Sequence, residues 1–191
     1  ITGALEKMVT VSGSSISTEG TIMATICLAI GAVFGEAINI EEKFERFGAW
    51  LKVKAGRQKD SKFIDGFVMT TLTICVGAMA IIGPIQDGLS HDPSMLFTKA
   101  LLDGIIVAVF AAGFGIGAIF ASIPLFIFQG VITLFAGAIE PFMTDLMIDN
   151  ISMVGSMLIF CVGVNLFLNA KIKVANMLPA LVAVIVYTMI M

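Results

Sequence analysis

Two oppositely charged residues lie within an otherwise apolar stretch of the sequence. Lys99 and Asp103 are four positions apart, so on a helix they share one face and can pair. A charge at the centre of a membrane-spanning helix costs about 2.5–3.5 kcal/mol on insertion scales, and residues that bear this cost often belong to an ion or proton path. The pair therefore indicates either a cation path or a structural ion pair that locks two helices together.

A second polar group precedes this pair in the chain. Gly83, Pro84 and Gly88 are expected to interrupt a helix and to free backbone carbonyls. Gln86 and Asp87 add further oxygen ligands. Transporters place sites for sodium and similar cations at such broken helices. The alternative interpretation is a span that simply ends in a turn.

Two amides and two glycines lie deeper in apolar stretches. Gln129 and Asn165 either line an ion path or hydrogen-bond between helices as packing residues. Gly31 and Gly35 form a small-residue face for close helix contact, within the chain or between subunits.

Signals for an enzyme are weak. His91 is the single histidine, and no HExxH, CxxC or P-loop motif is present. The three cysteines, Cys27, Cys75 and Cys161, lie in apolar runs, which argues against a disulfide framework or a metal cluster. We therefore expect no catalytic residue and no cofactor other than a transported monovalent cation, and the identity of any bound metal stays open.

The composition places these residues in a membrane protein. Of the 191 residues, 58% are hydrophobic and 13% are charged, whereas soluble domains carry roughly 25% charged residues. This composition excludes a soluble globular domain and leaves the class of helical membrane proteins. The formal net charge of −3 gives no indication of a nucleic-acid partner.

The apolar runs predict an all-α membrane protein with about six transmembrane helices, forming one polytopic domain over residues 1–191. The alternating pattern of a β-barrel is missing. The uncharged run 104–139 is too long for one span, and Gly115, between Gly113 and Gly117, is expected to divide it. The predicted spans are 20–38, 64–85, 95–112, 117–139, 151–168 and 176–191.

The loop charges alternate along the chain. Segment 41–62 holds most of the 11 basic residues, and 169–175 adds two more. Loops 86–93 and 140–150 contain acidic residues and no Lys or Arg. By the positive-inside rule, 41–62 and 169–175 face the cytoplasm of a prokaryotic inner membrane, and the other two loops face outward.

Segment 41–62 is predicted to form an amphipathic helix followed by a linker. Ile40, Phe44, Phe47 and Leu51 recur at helical spacing, so residues 41–54 are expected to lie along the cytoplasmic membrane surface or beneath the bundle. Trp50 suits the headgroup level.

Two further features leave alternatives open. Residues 1–18 fit a partial span, a surface helix or a leader, and the chain begins at Ile1, which leaves open whether residues precede it. Residues 72–77 and 158–163 share Leu, Cys, Val and Gly at matching positions, and the loop charges give their spans opposite directions. This match indicates an inverted repeat of the kind found in transporters.

Residues 76–89, followed by 98–104, resemble the prokaryotic membrane proteins known as domain of unknown function 554. Segments 30–36, 115–117, 129–130 and 176–181 are also similar to that family. The resemblance runs from about residue 20 to the end of the chain and departs at 1–18, where family members have more apolar sequence and a further span. It implies a polytopic protein of the bacterial cytoplasmic membrane, for which a sodium channel or pump has been suggested.

Two functions follow from these expectations. The first is transport of a small cation, sodium or a proton, by a channel or by a gradient-driven secondary transporter. The alternative is a non-transporting membrane scaffold whose basic helix recruits lipids or partners. The expected partners are the lipid bilayer and further copies of the same chain, because six short spans make a thin wall for a pore. We expect no nucleic-acid partner.

Overall fold

The computed structural model describes residues 10–12, 15–17, 19–168, 170 and 172–190, which are mainly helical. Near the N-terminus, strands β1 (Thr10–Ser12) and β2 (Ser15–Ser17) pair antiparallel, with Val11 opposite Ile16. This short ribbon matches none of the three forms expected for 1–18, and the rest of that segment lies outside the described residues.

The helices follow in chain order. They are α1 (Glu19–Ile38), α2 (Ile40–Lys54), α3 (Phe63–Cys75), α4 (Met79–Ser90), α5 (Ser94–Phe114), α6 (Ser122–Leu134), α7 (Ala136–Ile139), α8 (Asp145–Leu168) and α9 (Pro179–Ile190). Turns of 3-10 helix span Ile116–Ala121, Glu140–Phe142 and Val174–Met177.

The chain divides into two compact units. The first unit comprises Ile1–Ile40 and Phe142–Met191, and the second unit comprises Glu41–Pro141. The single domain expected over 1–191 stays a prediction.

Within the described residues, four helical segments are long and apolar enough to cross a membrane, and a bent pair makes up to five. The four are Gly20–Ile38, Ser94–Phe114, Ile116–Leu134 and Asp145–Leu168. The bent pair is α3 with α4, which meet at 60°, and Val174–Ile190 is a shorter apolar helix. The six predicted spans thus correspond to four full spans, one bent pair and one short helix. The all-α membrane fold is confirmed.

The predicted helix break at Gly83–Gly88 is wrong in position. Helix α4 continues through this segment and contains Pro84 in its interior, where proline removes the N–H that would bond to the carbonyl of Ala80 and crowds that carbonyl with its ring. The break lies instead between Cys75 and Met79, where Gly77 has φ +149°, a conformation that glycine adopts without strain. The span predicted over 64–85 is therefore two helices.

The glycines of α4 allow close helix packing. A Cβ on Gly83 would lie 3.2 Å from Leu96, and a Cβ on Gly88 would lie 2.5 Å from the carbonyl oxygen of Thr133. These contacts bring α4 against α5 and α6 within the second unit.

The division predicted at Gly115 is confirmed. Helix α5 ends at Phe114, Gly115 has φ +82°, and a 3-10 turn then leads into α6. Gly117 sits directly against the backbone carbonyl of Phe63, where no side chain fits. The 3-10 turn therefore packs closely on the start of α3.

In the first unit, α8 packs against α9 and α1. Most of its buried residues follow one helical stripe, which includes Met147, Ile151, Val154, Leu158 and Val162. Gly31 and Gly35 of α1 lie against the backbones of Ala180 and Asn176, so this small-residue face makes a contact within the chain.

The two segments proposed as an inverted repeat adopt different local structures. Residues 72–77 end in the break after α3, whereas 158–163 lie within the continuous helix α8. The inverted repeat stays a prediction.

Candidate functional site

Lys99 is buried beside its predicted partner. It lies on α5 with 6% of its surface exposed. Its Nζ forms an ion pair with the carboxylate of Asp103 and donates a hydrogen bond of 2.9 Å to the backbone carbonyl of Ile74. The pairing predicted from the four-residue spacing is therefore present, and a backbone carbonyl completes it.

The carbonyl of Ile74 is available because α3 ends there. In a continuous helix it would accept a hydrogen bond from the N–H of Ala78, but the chain turns away at Val76 and Gly77. The C-terminal end of a helix also carries a partial negative charge. The break thus leaves the Ile74 carbonyl free to accept the hydrogen bond from the ammonium of Lys99.

A cavity of about 620 Å³ opens beside this ion pair in the second unit. Its walls are mostly apolar side chains of α5 and α6, including Leu96, Phe97 and Leu125. Its polar residues are Lys99, Asp103, Ser122, Gln129 and Thr133. Apolar walls with a few convergent polar groups are typical of a binding site.

Gln129 carries an unsatisfied polar atom at this cavity. Its Nε2 is buried and has no hydrogen-bond partner among the described residues. An unpaired buried donor typically costs about 1–3 kcal/mol, so packing alone would not favour it. Of the two amides considered from the sequence, Gln129 is the one that the structure places with Lys99 and Asp103.

Gln86 and Asp87 do not line the cavity. The side chain of Gln86 donates a 2.9 Å hydrogen bond to the carboxylate of Asp92. Asp92 also accepts hydrogen bonds from the hydroxyl (2.5 Å) and backbone N–H (3.0 Å) of Ser94, at the start of α5. The Ser94 hydroxyl, followed by its N–H and by the Gln86 amide, holds the pKa of Asp92 below its ordinary value.

Asn165 has a local structural role in the first unit. Its amide donates to the carbonyl of Ile172 (2.7 Å) and accepts from the N–H of the same residue (3.0 Å). Both polar atoms are satisfied by the turn that follows α8. Asn165 is not among the residues that line the cavity.

Sequence reasoning missed one member of the site. The carbonyl of Ile74 has no signature in the sequence, since every residue carries one. Away from the cavity, the order Asp92, Pro93, Ser94 is typical of a helix start, and α5 begins at Ser94. Across the part of the chain that the structure describes, no group of three His, Cys, Asp or Glu side chains could hold a metal ion.

The sequence matches the family described as "Protein of unknown function (DUF554)" over residues 2–189. The chain belongs to this family. The DUF554 chain is 34% identical over 160 residues to "Uncharacterized membrane protein YdfK" of Bacillus subtilis (strain 168), an alignment that covers 84% of this chain and 67% of the relative. It is 31% identical over 164 residues to "Uncharacterized protein YqgA" of Escherichia coli (strain K12), which covers 84% and 68%.

No solved structure matches the DUF554 chain. The family resemblance derived from residues 76–89 and 98–104 is confirmed. The apolar helices and the name of the Bacillus relative agree that this is a membrane protein.

Proposed function

We propose that this protein moves a small cation, sodium or a proton, across the membrane, and that Lys99, Asp103 and the Ile74 carbonyl form its cation site. The observation that carries the proposal is the buried ammonium of Lys99 held between a carboxylate and the open end of a helix. Oxygen atoms arranged in this way suit any small monovalent cation.

The ammonium of Lys99 acts in this proposal as a tethered substitute for the transported cation. With no ion in the site, it neutralises Asp103 and occupies the Ile74 carbonyl. An entering cation competes for the same oxygen atoms and displaces the lysine, so the pair that stabilises the empty site also gates it. A mobile lysine side chain needs room, and the adjacent cavity supplies it.

The break after α3 offers additional ligands. Among the described residues, no backbone N–H bonds to the carbonyls of Thr73 or Cys75, which flank Ile74 at the end of this helix. A dehydrated cation could use such carbonyls with the carboxylate of Asp103, as transporters with broken helices do. Gln129 adds an amide at the cavity wall.

We also propose that the transporting form contains several copies of the chain. Helix α5 leaves a stripe of large apolar side chains uncovered, formed by Phe97, Leu101, Ile105 and Val109. The stripe follows the four-residue spacing of one helix face, which a second copy could cover.

The test is ion flux in vesicles that contain the purified protein. Asp103→Asn keeps the shape of the side chain and removes its charge, so we expect loss of cation flux in a protein that remains folded. Asp65→Asn is the matched control, because Asp65 is an exposed carboxylate in the first turn of α3. Flux equal to that of the unmodified protein in Asp103→Asn would contradict the proposal, and absence of flux in every form would favour the scaffold alternative.

A further inference from the structure

Within the second unit, helix α2 uses one face to pack on α3. Gly48 and Leu51 are buried, and a Cβ on Gly48 would lie 2.9 Å from the ring of Phe67. The ring of Phe47 meets Phe67 edge-on, with 5.8 Å between centroids. The apolar stripe predicted from the sequence is therefore satisfied by α3.

A second face of α2 remains uncovered and combines cations with large apolar groups. Trp50 is 54% exposed and Val53 is 60% exposed. Lys43, Arg46 and Lys54 are exposed as well. At about 100° per residue, these five side chains fall within about 100° of the helix circumference. We call them the basic-aromatic surface.

Trp50 is held in place on this surface. Its ring stacks on Phe47, with 5.9 Å between centroids and 14° between planes. The Nζ of Lys54 lies 5.9 Å from the centroid of the Trp50 ring, within the range of a cation–π contact. The exposed tryptophan is thus presented in a fixed orientation beside a cation.

The five residues of the basic-aromatic surface include three cations and no acid. Arg46 forms an ion pair with Glu42 one turn earlier, so the acid offsets part of the charge. Lys43 and Lys54 add two further cations to the same face. The net positive charge would attract anionic groups more strongly than neutral ones.

Contacts of α2 place it at the ends of apolar helices. Phe67, on which Phe47 packs, lies one turn inside α3, about 6 Å along the axis from Phe63. Lys62, just before α3, donates a 3.4 Å hydrogen bond to the carbonyl of Gly113 near the end of α5. Helix ends of this kind lie at the level of lipid headgroups, where tryptophan and lysine are enriched.

We propose that the basic-aromatic surface binds the headgroups of anionic lipids, with Trp50 and Val53 inserted at the boundary of the acyl chains. Each lysine close to an anionic bilayer raises the affinity for that bilayer roughly fivefold. The proposal concerns a surface away from Lys99 and Asp103 and does not depend on transport.

The single tryptophan of the chain makes the test specific to this surface. The full chain is reconstituted in phosphatidylcholine vesicles that contain a minor fraction of acyl-brominated phosphatidylglycerol or, separately, the same fraction of acyl-brominated phosphatidylcholine. Bromine quenches indole fluorescence only at short range, and lipid in both leaflets makes protein orientation irrelevant. We expect the apparent affinity of the Trp50 environment for phosphatidylglycerol to exceed that for phosphatidylcholine at least fivefold.

Two charge variants separate this surface from the general charge of the loop. Lys43→Gln with Lys54→Gln should remove the preference for phosphatidylglycerol. Lys52→Gln with Lys59→Gln removes the same charge from outside the surface and should retain it. Equal loss in both variants, or equal quenching by the two lipids with the unmodified chain, would overturn the proposal. Absence of quenching by either lipid would also overturn it and would indicate that a protein covers Trp50.

Discussion

Replacing both members of the buried ion pair distinguishes a cation site from a structural pair. In the double variant, Lys99→Met and Asp103→Leu substitute apolar side chains of similar size. A structural pair can be exchanged for well-packed apolar residues without loss of function. A cation site loses its carboxylate and can no longer work, however stable the protein is.

The stability changes can be estimated from burial and contacts. The Lys99 and Asp103 side chains are only 7% and 13% exposed. Removing one partner of a buried pair leaves an uncompensated charge and typically costs about 3–5 kcal/mol, whereas replacing the whole pair is often neutral. The Lys99 change also leaves the Ile74 carbonyl without its donor, which adds about 1 kcal/mol. We expect each single variant to lose about 3–6 kcal/mol and the double variant about 1 kcal/mol.

Thermal unfolding in detergent and flux in vesicles measure the two properties on the same preparations. At roughly 2–4 °C per kcal/mol, each single variant should lower Tm by about 6–24 °C, and the double variant by less than about 5 °C. The double variant should be folded and inactive. If it is folded and carries cations at the rate of the unmodified protein, the pair is structural and the assignment of Asp103 is refuted. If the single changes are additive, the two side chains do not interact as described.

Three further predictions concern the surroundings of the site. Gln129→Leu removes an unpaired buried amide, so it should raise the free energy of unfolding by about 1 kcal/mol and lower cation flux. A fall in Tm would show instead that the amide has a structural partner. The native pKa of Asp92 is lowered, so ionised Asp92 stabilises the folded protein. This contribution is complete above the ordinary pKa of an aspartate and is lost as the pH falls through the lowered pKa, below about pH 4. Asp92→Asn should therefore flatten the dependence of Tm on pH in that window. Cysteines at Lys59 and Ser90 flank the bent pair and should react with an impermeant reagent from opposite sides of the membrane, whereas reaction from one side would make the pair a re-entrant loop.

Sequence could predict those site residues whose charge is energetically costly in an apolar stretch and whose spacing places them on one helix face. Lys99 and Asp103 stand out because charges in an apolar stretch need a reason, and their spacing gives them a common face. The amphipathic helix α2 was predicted from its apolar spacing for the same kind of reason, and its observed span Ile40–Lys54 agrees. Both inferences use only positions close together in the chain.

The position of the helix break could not be predicted in this way. Pro84 is the stronger local signal, but a helix tolerates one missing hydrogen bond when its surroundings are packed, and Pro84 is buried. Gly77 carries a weaker signal, because glycine can also remain within a helix. Which residue turns the chain depends on the packing of α3 and α4 against their neighbours. The hydrogen bond between Lys99 and the Ile74 carbonyl depends on the same packing, so it could not be predicted from the sequence either.

The packing amides of the first unit have hydrogen-bond partners, whereas Nε2 of Gln129 at the cavity has none among the described residues. In the first unit, Asn165 binds the backbone of Ile172, and Asn150 donates to the hydroxyl of Thr188 at 3.0 Å. These side chains are explained by the contacts that they make. The two unpaired buried polar atoms of the described residues, Thr70 Oγ1 and Gln129 Nε2, both belong to the second unit, which also holds the buried ion pair.

Packing gives no reason to keep an unpaired amide beside a cavity, because an apolar side chain would be more stable there. A ligand in the cavity would give such a reason if the amide of Gln129 turned toward it, because the ligand would then supply the missing partner. The charged pair lies in the same unit and is independent evidence. Its buried lysine is stabilised by the carboxylate of Asp103 and by the carbonyl of Ile74 at the end of α3. We therefore propose that an occupant of the cavity accounts for Lys99, Asp103 and Gln129, whereas Thr70 does not line the cavity and is not explained by it.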